Sequence, residues 1–236
     1  MLAGRMSKYV SNVKAFTILE VLIAIFLWSL LLETAIHGYL TMKRIYNSQE
    51  DLVSLNNSMR IASFWLWRYI MQAGSVSYEK IADFKVDKLN LVKDIKQNGI
   101  YGYSQGSRFL GPSLARKIAS NTDVIEIIKS GYGDHKDSEK VVFFVGKTGR
   151  FTDKHREVLS LYILRNDRDL EELVSGIEEM RLRYTIDERM AGYLEADKIT
   201  AMGLWDKVRK IRIELKIVSN GLIVNKKFYV KLRARS

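Results

Sequence analysis

The sequence contains no cysteine. That excludes disulfides, zinc–thiolate centres and thiol nucleophiles, so stability must come from packing and hydrogen bonds. Proline is nearly as scarce, with Pro112 the only one. Nothing ahead of it removes a backbone donor in the way that breaks a helix. Between residues 16 and 73 the only glycine is Gly38. Histidine is limited to three residues. His135 lies between Asp134 and Asp137, His155 sits among Asp153, Lys154 and Arg156, and His37 comes just after an apolar run. None belongs to an evident set of spaced ligands, so neither a metal nor a cofactor is expected. Acidic residues are missing from Met1 to Lys14, which carries Arg5, Lys8 and Lys14. The formal net charge is +11. The cations are scattered rather than blocked, which describes a solvated basic exterior better than a dedicated polyanion surface.

The basic leader gives way to an apolar run from Phe16 to about Ile36. A secretory signal also joins a basic segment to an apolar one, but it ends at small residues soon afterwards. Here only a weak match exists, around Ala35. The run spans about 31 Å as a helix, close to a hydrocarbon core of ~30 Å. It therefore reads as an anchor, with the leader's charges keeping the N-terminus in the cytoplasm. Glu33 lies near the far end, within reach of headgroups. Glu20 does not. A carboxylate near the start of an apolar run is costly and needs a partner or a function.

The stretch Lys14-Ala-Phe-Thr-Ile-Leu-Glu-Val-Leu-Ile-Ala-Ile25 resembles the N-terminal motif of type IV pilins and type II secretion pseudopilins. In that family a prepilin peptidase removes the leader just before a Phe, whose new amine is methylated, and a Glu stands at the fifth mature position. The resemblance places the cut between Ala15 and Phe16, methylation on Phe16, and that glutamate at Glu20. The family usually has Gly before the cut, where this chain has Ala15. Glu20 lies four residues after Phe16, one helical turn on and on the same face. The resemblance implies that it meets the terminal amine of a neighbouring subunit and so sets register in a filament. A carboxylate and an ammonium attract strongly in a low-dielectric seam.

Beyond the anchor, Ile45, Leu52, Leu55, Met59, Ala62, Leu66, Tyr69 and Ala73 recur at three- and four-residue steps, with Ser48 an exception. That predicts an amphipathic continuation of one helix from Phe16 to Ala73, about 87 Å long, with Gly74 as its C-cap. Phe64, Trp65 and Trp67 flank the stripe and widen it, which suits packing on a sheet better than a two-stranded coiled coil.

Residues 75 to 121 show weak periodicity and are expected to be irregular, with one short strand at most. Strands are expected after them, at residues 123–130, 140–147, 157–166, 180–187, 210–218 and 226–235. Alternation predicts Met180, Leu182, Tyr184, Ile211, Ile213, Leu215, Ile217, Phe228, Val230 and Leu232 as inward, and Asn220-Gly221 as a hairpin turn. The fold class expected is α+β, pilin-like, with the long helix covering one face of an antiparallel sheet. The segments 58–74, 172–187, 192–197, 204–219 and 228–236 are together similar to minor pilins of the PilW type. The J-type pseudopilin of secretion systems is the near alternative; it usually has a proline just before the strand that starts here at Lys210.

Catalytic readings are weak. Gly146-Lys147-Thr148 lacks the earlier glycine and the following helix of a P-loop. Glu178 and Glu179 are adjacent on a strand, so they should point to opposite faces and cannot flank one glycosidic bond. Arg181 and Arg183 share a face with other cations and could meet an anionic partner such as DNA, but aromatic interleaving there is poor. No active site is expected. The expected organisation is a cytoplasmic leader at 1–15, a transmembrane half-helix at 16–36, an amphipathic half at 37–74 and a periplasmic β-rich head at 75–236. The resemblance implies as partners the other minor pilins and the major pilin, prepilin peptidase, the inner-membrane assembly platform and membrane lipid. A signal-anchored periplasmic enzyme or binding protein is the reading of a different class.

Overall fold

The computed structural model describes residues 17–74, 99–105, 117–130, 138–152, 155–186, 192–219 and 221–232. The first element, α1 (Ile18–Met71), is a helix of 54 residues. The absence of proline and near absence of glycine permits that length. Thr17 and Glu20 fix where it begins. The Glu20 N–H donates to Thr17 Oγ1 at 3.3 Å, while the Thr17 N–H donates to Glu20 Oε2 at 3.1 Å. This reciprocal pair is a capping box that satisfies two of the orphan donors of the first turn. At the other end the N–H groups of Gln72 and Ala73 tighten onto the carbonyls of Tyr69 and Ile70. Gly74 then takes a left-handed φ of 66°. Its N–H donates to Ile128 O at 2.9 Å. Gly99 packs against that exit so closely that a Cβ there would lie 2.4 Å from the Gly74 nitrogen.

The chain divides into two compact units, Met1–Glu50 and Asp51–Ser236. In the first, the described helical residues are exposed throughout. The segment from Ile18 is long and apolar enough to cross a membrane. In the second, α1 buries Leu55, Met59, Ala62, Leu66, Tyr69 and Ile70 in the principal core.

That core is shared by two antiparallel sheets where the sequence suggested one. The larger sheet is ordered β1 (Ile100–Tyr103), β2 (Val124–Ser130), β3 (Ser138–Phe151), β4 (Glu157–Arg165), β5 (Asp169–Ser175). The smaller is ordered β6 (Ile177–Thr185), β7 (Lys210–Ser219), β8 (Leu222–Lys231). The layout is α+β, a long N-terminal helix packed on antiparallel sheets. Ile125, Ile127, Phe143, Leu161 and Ile163 face the principal core, while Val124, Val142, Phe144, Tyr162 and Leu164 build a second apolar cluster with Ile118 on the opposite face. The larger sheet is therefore apolar on both sides, which explains its nearly continuous hydrophobic runs. In the smaller sheet the expected alternation is present, with Met180, Leu182, Tyr184, Ile211, Ile213, Leu215, Ile217 and Val230 buried and Phe228 partly so. The Ser219–Leu222 pair closes the β7–β8 hairpin, with Gly221 at φ 87°. Asn220 lies outside the described residues.

Three elements escape the sequence pattern. β5 reads Asp-Leu-Glu-Glu-Leu-Val-Ser and neither alternates nor favours β-branched residues, so pairing with β4 imposes it. β1 is the short strand that the expectation for residues 75 to 121 allowed but did not place. A short helix, α2 (Ala196–Met202), followed by a 3-10 turn at Trp205–Lys207, fills the β6–β7 connection.

Candidate functional site

The residues singled out at the N-terminus divide by position. Ala15 and Phe16 lie outside the described residues. Glu20 is on the first turn of α1, where its Oε2 accepts from both the Thr17 N–H and the Thr17 hydroxyl. This charge is thus held by a local cap and favoured by the positive end of the helix dipole. Beside it on the same exposed stretch of helix stand Val21, Ala24, Ile25 and Trp28. The arrangement presents a fixed carboxylate on an apolar wall, chemistry suited to an ammonium that is itself leaving water. The cap from Thr17 is absent from the sequence-based expectation, although Thr-x-x-Glu ahead of an apolar run is the capping-box signature.

In the head, the glutamate pair behaves differently from its strand-alternation reading. A bulge between Ile177 and Glu179 shifts the β6–β7 register. It leaves both Glu178 and Glu179 half-buried between the buried Ile177 and Met180. Two residues of the bulged strand oppose one on its neighbour, so alternation fails at that point. Both charges are matched by cations: Lys216 Nζ lies 3.2 Å from Glu178, and Arg181 pairs with Glu179.

Arg183 is clamped by Glu195 at 3.0 Å and Asp123 at 3.6 Å. Aromatic residues on this face are more numerous than alternation suggested. Arg212 sits 4.4 Å over the Tyr193 ring, Lys210 sits 4.5 Å over Tyr229, and the two rings are 6.1 Å apart. Tyr193 reaches the face from the β6–β7 connection, where strand alternation gives no warning. Glu214 neutralises Arg212 at 3.0 Å and approaches Lys227 at 3.6 Å. The face carries several internal ion pairs, with Glu214 shared between Arg212 and Lys227.

Two carboxylates are deeply buried. Asp123 accepts the Leu182 N–H at 2.7 Å and the Gln105 N–H at 3.2 Å. Burial nonetheless pushes its carboxyl above the usual range, against the pull of those donors and of Arg181 and Arg183. Glu126 is likewise pushed up by burial, opposed chiefly by Lys140 at 3.5 Å. The Tyr103 hydroxyl donates to Glu126 Oε2 at 3.3 Å, and burial raises the phenol as well. Each carboxylate is engaged by β-sheet neighbours rather than facing an open site.

A cavity in the head, about 650 Å³, is lined by Leu55, Ile217, Ser175, Arg156, Glu157 and Glu178 among others. Its described lining holds no histidine. Gly146, Lys147 and Thr148 lie within β3. His37 is exposed 4.0 Å from Glu33, and His155 is exposed at a left-handed turn. His135 lies outside the described residues. No group of three metal-ligating side chains occurs among the described residues. Comparison with family models, with curated proteins and with solved structures finds no match for this chain.

Proposed function

We propose that the chain is a minor pilin of a type IV pilus, made with a leader that prepilin peptidase removes between Ala15 and Phe16. The processed subunit waits in the inner membrane, its helix spanning the bilayer and its head in the periplasm. It then joins the other minor subunits to prime pilus assembly near the tip. The observation that carries this reading is Glu20, a carboxylate fixed on an apolar helix face. Both Thr17 hydrogen bonds go to Oε2. Oε1 is the oxygen assigned to the cationic amine of a neighbouring Phe16. The capping partners both lie after the cut, so leader removal leaves the first turn intact.

Mass spectrometry of the membrane-extracted protein tests the processing step. A chain beginning at methylated Phe16 is expected; an intact Met1, or a cut near Ala35, would sink the proposal. Two variants then separate capping from docking. Glu20→Gln retains an acceptor for the Thr17 N–H but loses the charge, whereas Thr17→Val loses the side-chain cap and keeps the charge. Glu20→Gln is expected in the membrane but depleted from sheared filaments, with Thr17→Val incorporated better. Wild-type incorporation of Glu20→Gln would remove the assembly role.

A further inference from the structure

The β3–β4 hairpin reaches past the larger sheet. β2 pairs with β3 no further than Phe143, and β5 pairs with β4 no further than Ser160. The bridge from Ile118 ends at Gly146. From Thr148 onward, β3 has β4 as its one strand partner among the described residues. A two-stranded ribbon is marginal on its own, and this one is braced by threonine. Thr148 Oγ1 donates to Val158 O at 2.6 Å and accepts the Arg150 N–H at 3.1 Å. Thr152 Oγ1 accepts the Arg156 N–H at 3.3 Å, and the Thr152 N–H donates to Arg156 O at 2.9 Å.

What the ribbon presents has no use inside the head. Phe151 is 67% exposed and belongs to neither apolar cluster. Lys147, Arg150 and Arg156 around it are exposed. Arg150 meets Glu172, but Lys147 and Arg156 have no ion pair among the described residues. The sequence from Lys147 to Glu157 carries Lys147, Arg150, Lys154 and Arg156 against Asp153 and Glu157. The ribbon's end also has a defined place in the head. Thr152, Arg156 and Glu157 line one cavity with Ser54, Leu55 and Ser58, and Leu55 is the first buried residue of α1. The end therefore lies where α1 enters the core. The chain running back from there contains the stretch long and apolar enough to cross a membrane.

We propose that the end of the β3–β4 hairpin docks on an anionic lipid surface, with Phe151 entering the headgroup layer and Lys147, Arg150 and Arg156 meeting lipid phosphates. Charge complementarity selects that occupant. An aromatic ring is favoured at headgroup depth, and cations around it are drawn by the negative potential of the leaflet. A protein partner has to cover Phe151 and place carboxylates at three fixed points, whereas a fluid bilayer supplies phosphate wherever the cations fall. One ring and a few charges make a weak contact by themselves. An anchor in the same chain makes it sufficient, by raising the effective concentration of the head at the bilayer. The ribbon is already braced, so little ordering is lost on contact. A bilayer within reach rests on the anchored-pilin reading; the lipid-binding chemistry of the ribbon does not.

The test uses the full-length protein in nanodiscs, with Phe151 replaced by the photoreactive aromatic p-benzoylphenylalanine. Tyr229, a half-exposed aromatic on β8, takes the same probe as a control. Discs of phosphatidylcholine alone are compared with discs in which about a third of the lipid is phosphatidylglycerol. After irradiation, intact mass should show a lipid adduct from the Phe151 probe, at least about fivefold more abundant in the anionic discs. Reversing charge with Lys147→Glu and Arg156→Glu should return the yield to that of the neutral discs. Both side chains are exposed, so the variant should melt like the parent. No lipid adduct from the Phe151 probe, an equal yield from the Tyr229 probe, or a yield indifferent to lipid charge overturns the proposal. So does a protein–protein adduct in place of the lipid one, which would assign the hairpin to a partner chain. The adduct found on a chain that retains Met1 would remove the pilin reading alone. A methylated Phe16 without the adduct would remove lipid docking alone.

Discussion

Thr200 shows how much one hydroxyl can organise. Its Oγ1 donates to Ala196 O at 3.0 Å and accepts the Trp205 indole N–H at 3.1 Å. With its only proton spent, it must receive the Tyr101 hydroxyl, 3.1 Å away. One side chain thus ties α2 to β1 and to the 3-10 turn after it. Replacing Thr200 by Val removes the acceptor that the Tyr101 hydroxyl and the Trp205 indole share, at a cost of about 1–3 kcal/mol, to be read from denaturant unfolding of the detergent-solubilised chain. The neighbouring Tyr184 makes the contrast. It is fully buried, and its hydroxyl has no hydrogen-bond partner among the described residues. Tyr184→Phe should therefore leave stability within about 0.5 kcal/mol of the parent. Gly102 exists for this ring, because a Cβ there would fall 1.9 Å from the Tyr184 oxygen. Gly102→Ala should cost about 1–3 kcal/mol by overpacking, a loss that Tyr184→Phe relieves in part. The inward side of Tyr184 was legible from alternation, but its meeting with Gly102 and the Thr200 network was not, because these are an isolated Thr, Gly and Tyr on separate elements. Glu20 was legible because a charge in an apolar run has no ordinary explanation. Thr17 is easily overlooked beside it, because that anomaly directs attention to a partner outside the chain.

Periodicity decided how well each element could be foreseen. The helix and the strands β6, β7 and β8 carry clear 3.6- and 2-residue patterns because each buries a single face. The turn ahead of β5 did leave a mark, since Asn166 and Asp167 both adopt left-handed backbone, a conformation their side chains tolerate. The bulge at Glu178 left none. Sheet membership was also hidden, because alternation tells which side of a strand is apolar but not which strands share a ladder. One consequence of that ladder is testable by pH. Glu126 on β2 is buried, and its carboxyl is pushed above its ordinary value, chiefly by burial. A folded-state pKa above the unfolded one means that the folded chain holds the proton more tightly. The stabilisation is then complete below the unfolded value and is lost as pH rises through the folded one. Asp123 has the same sign. Melting temperature should accordingly fall as pH climbs from the ordinary carboxylate range, and Glu126→Gln, which carries no proton to lose, should flatten that slope. Lys140 keeps Asp167 at 3.1 Å in the variant, so it is not left without an anion. An unchanged slope would show that Glu126 contributes nothing to it.

At the scale of the whole chain, the physics separates where the core ends. From Ile18 to Glu50 the helix has exposed apolar side chains and no core of its own, and among the described residues the buried ones all fall after Asp51. The hydrophobic effect acts in the second unit through burial against the protein's own sheets, whereas the stretch from Ile18 is long and apolar enough to cross a membrane. A chain starting at Asp51 retains the core residues of α1, both sheets and α2, and the described residues it loses are all exposed. It should be made in soluble form, sediment as a folded species without detergent, and unfold cooperatively. The full-length chain should stay with the membrane fraction through alkaline extraction. Leu66 is fully buried on the retained part of α1, so Leu66→Ala should destabilise the truncated head by about 2–5 kcal/mol. The same substitution should lower the unfolding midpoint of the full chain without releasing it from the membrane. If the truncated chain instead required detergent to stay in solution, the apolar half of α1 would have to be part of the head's own core, and the division at Asp51 would fall.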